Sequence, residues 1–147
     1  MNTIVPLISS GVAGPLGVIH LPRLWLKLSL EARGQLAPGY PGCGTGFDQM
    51  VIDGLGLQRE AVIDLIKTKR PTYPQFEAWI KSQPGVKIDK ESVDKLNNAV
   101  RGYNHADETR QSILGASGIS DDAKAPRDAV SLNNLDDWQE IHEAALK

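Results

Sequence analysis

The sequence predicts an all-α protein, a compact single-domain bundle of about six or seven short helices. Apolar residues recur at helical spacing along most of the chain. Glycine, proline or helix-capping residues separate these apolar runs, and no sustained alternation of polar and apolar residues indicates a strand. A chain of 147 residues is of the size of one domain, so we expect residues 1–147 to share one core.

The first helix is predicted to begin near Leu21, with Pro22 in its first turn, where the missing N–H does no harm. Gly34 is expected to end it. A glycine-rich loop over residues 34–46 then connects the first two core helices. Glycine at this density is typical of unusual backbone geometry or of close approach to another group.

Three more helices follow in the first two thirds of the chain, each bounded by proline or glycine. Their predicted spans are Phe47 to Gly54 or Gly56, Arg59 to Thr68 before Pro71, and Tyr73 to Ile80 before Pro84 and Gly85.

In the remaining third, Asp89 is predicted to cap a helix over 90–101. Asn104 is predicted to cap the next helix, which ends where a small, polar and irregular segment, 115–131, begins. Asn134 is then expected to cap the terminal helix.

Charge and cysteine content narrow the functional classes. The net charge is −2 with 16 basic and 18 acidic residues, which gives no basic excess for nucleic acid. Cys43 is the only cysteine, so an internal disulfide is excluded and a cytoplasmic location is expected. The apolar N-terminal segment has no basic start and is interrupted by glycine and proline, so neither a signal peptide nor a membrane partner is predicted. Short helices and this apolar segment are compatible with a homo-oligomer.

His20 and His105 are each expected at or just before a helix start. The helix dipole disfavours a protonated ring there, so each imidazole should be neutral near pH 7 and suited to act as a base or a hydrogen-bond donor. Each could equally satisfy backbone groups of a loop. The histidines and Cys43 lack the spacing of a zinc motif, so we predict neither a metal nor a cofactor, and a zinc enzyme that uses Cys43 and the histidines ranks third among the functions considered.

Arg23 is expected in the first turn of its helix, where a cation opposes the dipole. A guanidinium beside free N–H groups would hold a carboxylate or phosphate well. The alternative is a pair with Asp48, Asp53 or a terminal acid. Lys27, one turn further on, could add its charge to the same anion or pair with Glu31.

Other side chains in and around the loop complete the candidate site. Cys43 could be a nucleophile or a small structural residue, and Asp48 could be a general acid or base or a favourable first-turn residue. Tyr40 and Tyr103 offer hydroxyls, and Trp25 offers a flat face, although aromatic residues at helical spacing more often belong to a core than to a pocket.

One ordered set of residues over 14–82 carries a resemblance: Leu21-Pro22-Arg23, Lys27, Tyr40, Cys43, Asp48 and Leu55-Gly56. The set resembles small bacterial proteins catalogued as a domain of unknown function, with 87–147 as a helical C-terminal extension. Relatives often carry aspartate before the lysine and arginine two places after it. Here those positions are Leu26 and Ser29, so that pair has no counterpart.

Within that family the chain is similar to the 4-hydroxylaminobenzoate lyases of bacterial nitroaromatic degradation. The resemblance implies conversion of 4-hydroxylaminobenzoate to 3,4-dihydroxybenzoate (protocatechuate) with release of ammonia, without a cofactor. The candidate residues fit this reaction as acid–base groups and as a substrate-binding set. The acid–base candidates are His20, Asp48, Tyr103 and His105, and the substrate-binding candidates are Arg23, Trp25, Lys27, Tyr40 and Cys43.

The sequence also leaves open a non-catalytic alternative. No complete catalytic signature is present, so the chain could be a helical module that binds a small anionic aromatic ligand or a partner protein.

Overall fold

The computed structural model describes residues 2–147 and confirms the all-α prediction. The helices are α1 (Leu21–Ala32), α2 (Phe47–Leu55), α3 (Arg59–Lys69), α4 (Tyr73–Lys81), α5 (Lys90–Arg101), α6 (Asp107–Ser117) and α7 (Ala129–Ile141). A short π-helix, His142–Leu146, extends α7. Within residues 2–147 extended pairing is limited to isolated bridges.

The helix α1 organises the packing. It contacts α2, α3 and α4, while α5 packs on α2 and α7, and α6 packs on α7. The apolar face of α1 is fully buried at Leu21, Leu24 and Leu28. The same helix also buries two cations, Arg23 and Lys27, which are only 5% and 6% exposed. Because buried charges require partners, α1 must meet carboxylates in the interior.

The predicted bounds of the first five helices agree with the structure to within a residue or two. Gly56 ends α2 in the left-handed conformation (φ 73°). Thr72 begins α4 with a reciprocal capping box to Gln75, and Asp89 caps α5 by accepting a hydrogen bond from the Ser92 N–H at 3.1 Å. Local capping and glycine signals at the helix ends were therefore sufficient to predict the helix bounds in this part of the chain.

The predicted cap of α6 is wrong. Asn104 lies before the helix in a short antiparallel bridge with Asp128, and α6 begins at Asp107 after Ala106. The carbonyl of Tyr103 accepts a hydrogen bond from the Ala129 N–H at 2.8 Å. A long-range backbone pairing therefore holds the segment that was expected to begin a helix.

The predicted start of the terminal helix is also wrong. Asp128 caps α7 by accepting a hydrogen bond from the Ser131 N–H at 2.9 Å, so Asn134 lies within the helix. The irregular segment between α6 and α7 is correspondingly shorter than 115–131. As a consequence, Asn133 and Asp137 stand on the same face of α7, one turn apart.

No helix within residues 2–147 has the length and apolar character needed to span a membrane. The N-terminal segment before α1 runs over the surface and leaves three large apolar side chains exposed. These are Ile4, Leu7 and Val12, at 45%, 52% and 46% exposure.

Candidate functional site

A cleft of about 440 Å³ lies between the start of α1, the glycine-rich loop and the face of α7. It collects seven of the nine residues predicted from the sequence: His20, Arg23, Lys27, Tyr40, Asp48, Tyr103 and His105. The first helical residue of α2, Phe47, and three residues of α7, Ala129, Asn133 and Asp136, complete much of its wall.

A larger cavity, of about 550 Å³, lies between α2 and α5. Met50, Leu96 and Ala99 form its apolar lining, with Lys87 and Lys95 among its polar residues. It contains no histidine, tyrosine or buried ion pair. The smaller cleft therefore contains the candidate acid–base side chains, and we take it as the candidate site.

His20 immediately precedes α1 and adopts the left-handed conformation with φ 70°, which is uncommon outside glycine. Its ring is buried and held from both sides. Nδ1 lies 2.9 Å from Ser10 Oγ, and Nε2 lies 2.6 Å from Asp48 Oδ1. Strained backbone of this kind persists only where surrounding contacts hold it, and here the hydrogen bonds of the ring to Ser10 and Asp48 provide them.

Asp48 is the acceptor at the centre of the buried cluster. Its Oδ1 faces His20, and its Oδ2 accepts hydrogen bonds from Lys27 Nζ at 2.5 Å and the Gly44 N–H at 2.7 Å. Burial alone would raise the pKa of Asp48, but the His20 hydrogen bond and the Lys27 charge outweigh it and hold the pKa well below its usual range. Asp48 is therefore a carboxylate.

The ionised Asp48 determines the tautomer of His20. Burial lowers the pKa of His20 more than Asp48 raises it, so the ring is neutral. A carboxylate can only accept, so Nε2 carries the proton and donates to Asp48, and Nδ1 accepts from the Ser10 hydroxyl. With both nitrogens engaged, His20 positions Asp48 and has no free lone pair for a ligand.

This arrangement gives a first testable prediction. Ser10 is fully buried, so Ser10→Ala leaves the Nδ1 acceptor of His20 without its partner. We expect a loss of about 1–3 kcal/mol in the free energy of unfolding, measured by urea denaturation. Ser9→Ala is the matched control, since the Ser9 hydroxyl serves only an exposed Gly11 N–H, and it should change stability by less than about 0.5 kcal/mol. Equal effects of the two variants would contradict the assigned network.

Arg23 forms an ion pair with a carboxylate, Asp137, that the sequence analysis did not specify. Its Nη1 and Nη2 bind Asp137 at 2.6 and 3.0 Å, and Nη1 also donates to the carbonyls of Pro6 and Ile8 at 2.8 and 3.0 Å. Tyr40 donates to the same carboxylate at 2.9 Å. The open alternative, a pair with a terminal acid, is the one observed. Arg23 thereby fastens the N-terminal segment, α1 and α7 together.

The expected Lys27–Glu31 pair is absent, since Lys27 binds Asp48. The Glu31 carboxylate instead accepts a hydrogen bond from the Gly42 N–H at 3.1 Å and lies 3.7 Å from Lys67. Lys27 therefore belongs to the interior of the site.

The glycine-rich loop is held to the start of α3 by Arg59. This guanidinium donates to the carbonyl of Gly44 at 2.8 Å and to that of Cys43. The Cys43 side chain packs against the main core and is not part of the cleft lining. Burial and the nearby Asp48 charge raise the pKa of the thiol, which disfavours the thiolate that nucleophilic chemistry needs.

His105 differs from His20 in having a free ring nitrogen. Its Nε2 lies 2.8 Å from the amide oxygen of Asn133 and therefore donates to it. Within residues 2–147, Nδ1 has no hydrogen-bond partner. His105 is half-buried on the cleft wall, so its Nδ1 is an available base.

The aromatic wall of the cleft consists of Phe47 and Tyr103, whose rings meet edge to face at 5.6 Å. Trp25, which was predicted to contact the substrate ring, lies outside the cleft lining. Its indole packs against Tyr73 and donates to the Pro71 carbonyl at 3.0 Å. Trp25 thus joins α1 to the start of α4.

Several site residues could not be identified from sequence. Ser10 and Arg59 carry no local signal, because their partners are fixed only by folding. Asn133 fell outside the predicted terminal helix, whereas Asp136 and Asp137 fell inside it without any signal that they face a cleft. Once the helix begins at Ala129, their spacing of three and four residues places them on one face.

No protein-family model matches the chain, and the comparison with curated proteins gives no match.

Proposed function

We propose that the cleft is the active site of a cofactor-independent lyase that converts 4-hydroxylaminobenzoate to 3,4-dihydroxybenzoate and ammonia. The observation that carries this proposal is that one cleft contains both His105, which has a free imidazole nitrogen, and the buried Lys27. The cleft volume of about 440 Å³ lies in the range typical of small-molecule sites. The identity of the substrate comes from the resemblance.

The substrate carboxylate is assigned to Lys27 and the start of α2. Lys27 uses one of its three N–H groups on Asp48, which leaves donors for a second anion. The first backbone N–H groups of α2, which begins at Phe47, have no partner within the helix. This assignment replaces Arg23, whose charge is balanced by Asp137. The substrate ring is assigned to the space beside Phe47 and Tyr103.

The reaction itself is redox-neutral and balances with water alone. Protonation of the hydroxylamine oxygen breaks the N–O bond and releases water, leaving an electron-deficient nitrogen and ring. Water adds to the ring carbon next to the nitrogen-bearing one, a second water adds to the C=N carbon, and ammonia leaves. Loss of the ring proton restores aromaticity, so the net change consumes one water and releases one ammonia.

The cleft residues supply the groups that these steps need. His105 Nδ1 accepts the proton from the attacking water. The Asp48 carboxylate holds Lys27 in place for the substrate carboxylate, and His20 keeps Asp48 positioned and ionised. The Tyr103 ring covers the substrate and limits access of bulk water.

The experiment is anaerobic incubation of the purified chain with 4-hydroxylaminobenzoate in ¹⁸O-labelled water. We expect 3,4-dihydroxybenzoate with both hydroxyl oxygens labelled, because the N–OH oxygen leaves as water. A product with only one labelled hydroxyl oxygen would overturn the stepwise mechanism and indicate direct transfer of the N–OH oxygen to the ring. Saturable binding of the substrate without any product would favour the alternative, a non-catalytic module for small anionic aromatic ligands.

The proposal includes two further elements. The exposed apolar side chains of the N-terminal segment, Leu7 among them, support a homo-oligomer, which light scattering in solution would detect. The free Cys43 thiol supports a reducing, cytoplasmic setting. Neither element is needed for the chemistry in the cleft.

A further inference from the structure

We infer that Asp136 is the proton donor that releases the hydroxylamine oxygen in the first step of the proposed reaction. This inference rests on the proposed function and assigns a catalytic residue that the sequence did not indicate. Asp136 lines the cleft and also the shallow recess next to it, where His105 and Glu108 are neighbours.

Asp136 differs from the other carboxylates of the site in having no partner. Asp48 accepts three hydrogen bonds, and Asp137 is held by Arg23 and Tyr40. Asp136 is half-buried, and within residues 2–147 no hydrogen bond or ion pair involves its carboxyl. A half-buried carboxyl without a partner is free to hold a proton and to donate it to a ligand.

The surroundings of Asp136 favour its protonated form. Burial raises its pKa first, and the negative charges of Glu140 and Asp137 on the same helix raise it further. Arg23 on α1 and His105, which lines the same recess, act in the other direction, but the net pKa is above its usual range. Asp48, in the same cleft, has a depressed pKa. Two carboxyl groups whose pKa values are pushed apart take different roles, here a proton donor and a permanent anion that holds Lys27.

The step balances with this assignment. The Asp136 O–H bond transfers its proton to the hydroxylamine oxygen, the N–O electron pair leaves with that oxygen as water, and Asp136 becomes a carboxylate. His105 later takes a proton from the attacking water and releases it to solvent, and Asp136 takes up a proton from solvent before the next turnover. Acid and base thus lie close together at one end of the cleft.

The test is Asp136→Asn, which keeps the shape of the side chain and removes the acid. We expect kcat/KM to fall by about 10²–10⁴-fold. The wild-type rate should decline as pH rises through the Asp136 pKa, and this limb should vanish in the variant. Affinity for the product 3,4-dihydroxybenzoate should be unchanged. Urea denaturation controls for folding.

A second variant tests the electrostatic origin of the effect. Glu140→Gln removes one negative charge, which lowers the Asp136 pKa, so the alkaline limb of the wild-type profile should shift to lower pH. An Asp136→Asn variant with the wild-type rate and pH profile would overturn the inference while leaving the lyase proposal standing. A wild-type chain that releases no ammonia would overturn both.

Discussion

Asp137→Ala is expected to destabilise the fold by about 3–5 kcal/mol, the usual cost of removing one partner from a buried ion pair. The change leaves the Arg23 guanidinium, only 5% exposed, without its counter-charge. The Tyr40 hydroxyl loses its acceptor as well. Urea denaturation monitored by circular dichroism measures the difference.

Glu140→Gln is the matched control for this prediction. Glu140 lies on the same helix, is exposed, and should change stability by less than about 0.5 kcal/mol. A double-mutant cycle with Arg23→Met isolates the coupling, which we expect at about 0.5–3 kcal/mol for residues in contact. A loss below about 1 kcal/mol in Asp137→Ala would show that Arg23 finds another partner.

His105→Gln is expected to reduce kcat/KM for 4-hydroxylaminobenzoate by about 10²–10⁴-fold, because glutamine cannot accept the proton from the attacking water. The fold should be preserved, since His105 is half-buried and contributes one side-chain hydrogen bond, to Asn133. Steady-state rates of ammonia release measure the effect.

His142→Gln provides the same chemical change at an exposed position beyond the end of α7. We expect it to retain the wild-type rate. If His105→Gln were equally active, the base would have to be another group, and the role given to Nδ1 would be wrong.

The two buried cations of α1, Arg23 and Lys27, are expected to affect different properties of the protein. Arg23 satisfies Asp137 and two backbone carbonyls, so its main effect is on the free energy of unfolding. Lys27 satisfies Asp48 and keeps donors for a ligand. The two residues lie one turn apart on the same helix, yet the structure gives them different partners and different roles.

Most helices could be predicted because their ends carry local signals. Gly56, Thr72 and Asp89 determine the backbone at helix ends by conformation or by side-chain capping, and these effects act over a few residues. The start of α6 has no such signal, since Ala106 makes no side-chain cap. The cap of α7, Asp128, lies in a run of small polar residues where many positions look equivalent.

The residues of the cleft were partly predictable for a related reason. His20 and Asp48 stand at helix starts and Lys27 lies in the middle of α1, all within the first third of the chain, where their residue types are informative. The partner of Arg23 lies 114 residues away in sequence, so only the folded structure identifies Asp137. Trp25 was misassigned because an aromatic residue at helical spacing has the same pattern in a core as in a pocket.

Release of ammonia from a hydroxylaminoaromatic acid is the defining activity of the proposed lyase. The most direct test is to measure ammonia formed per 4-hydroxylaminobenzoate consumed by the purified wild-type chain under anaerobic conditions. We predict one ammonia for each substrate molecule, at a rate far above that of the protein-free solution. Folded protein that leaves the rate of ammonia formation at the protein-free level would contradict the account.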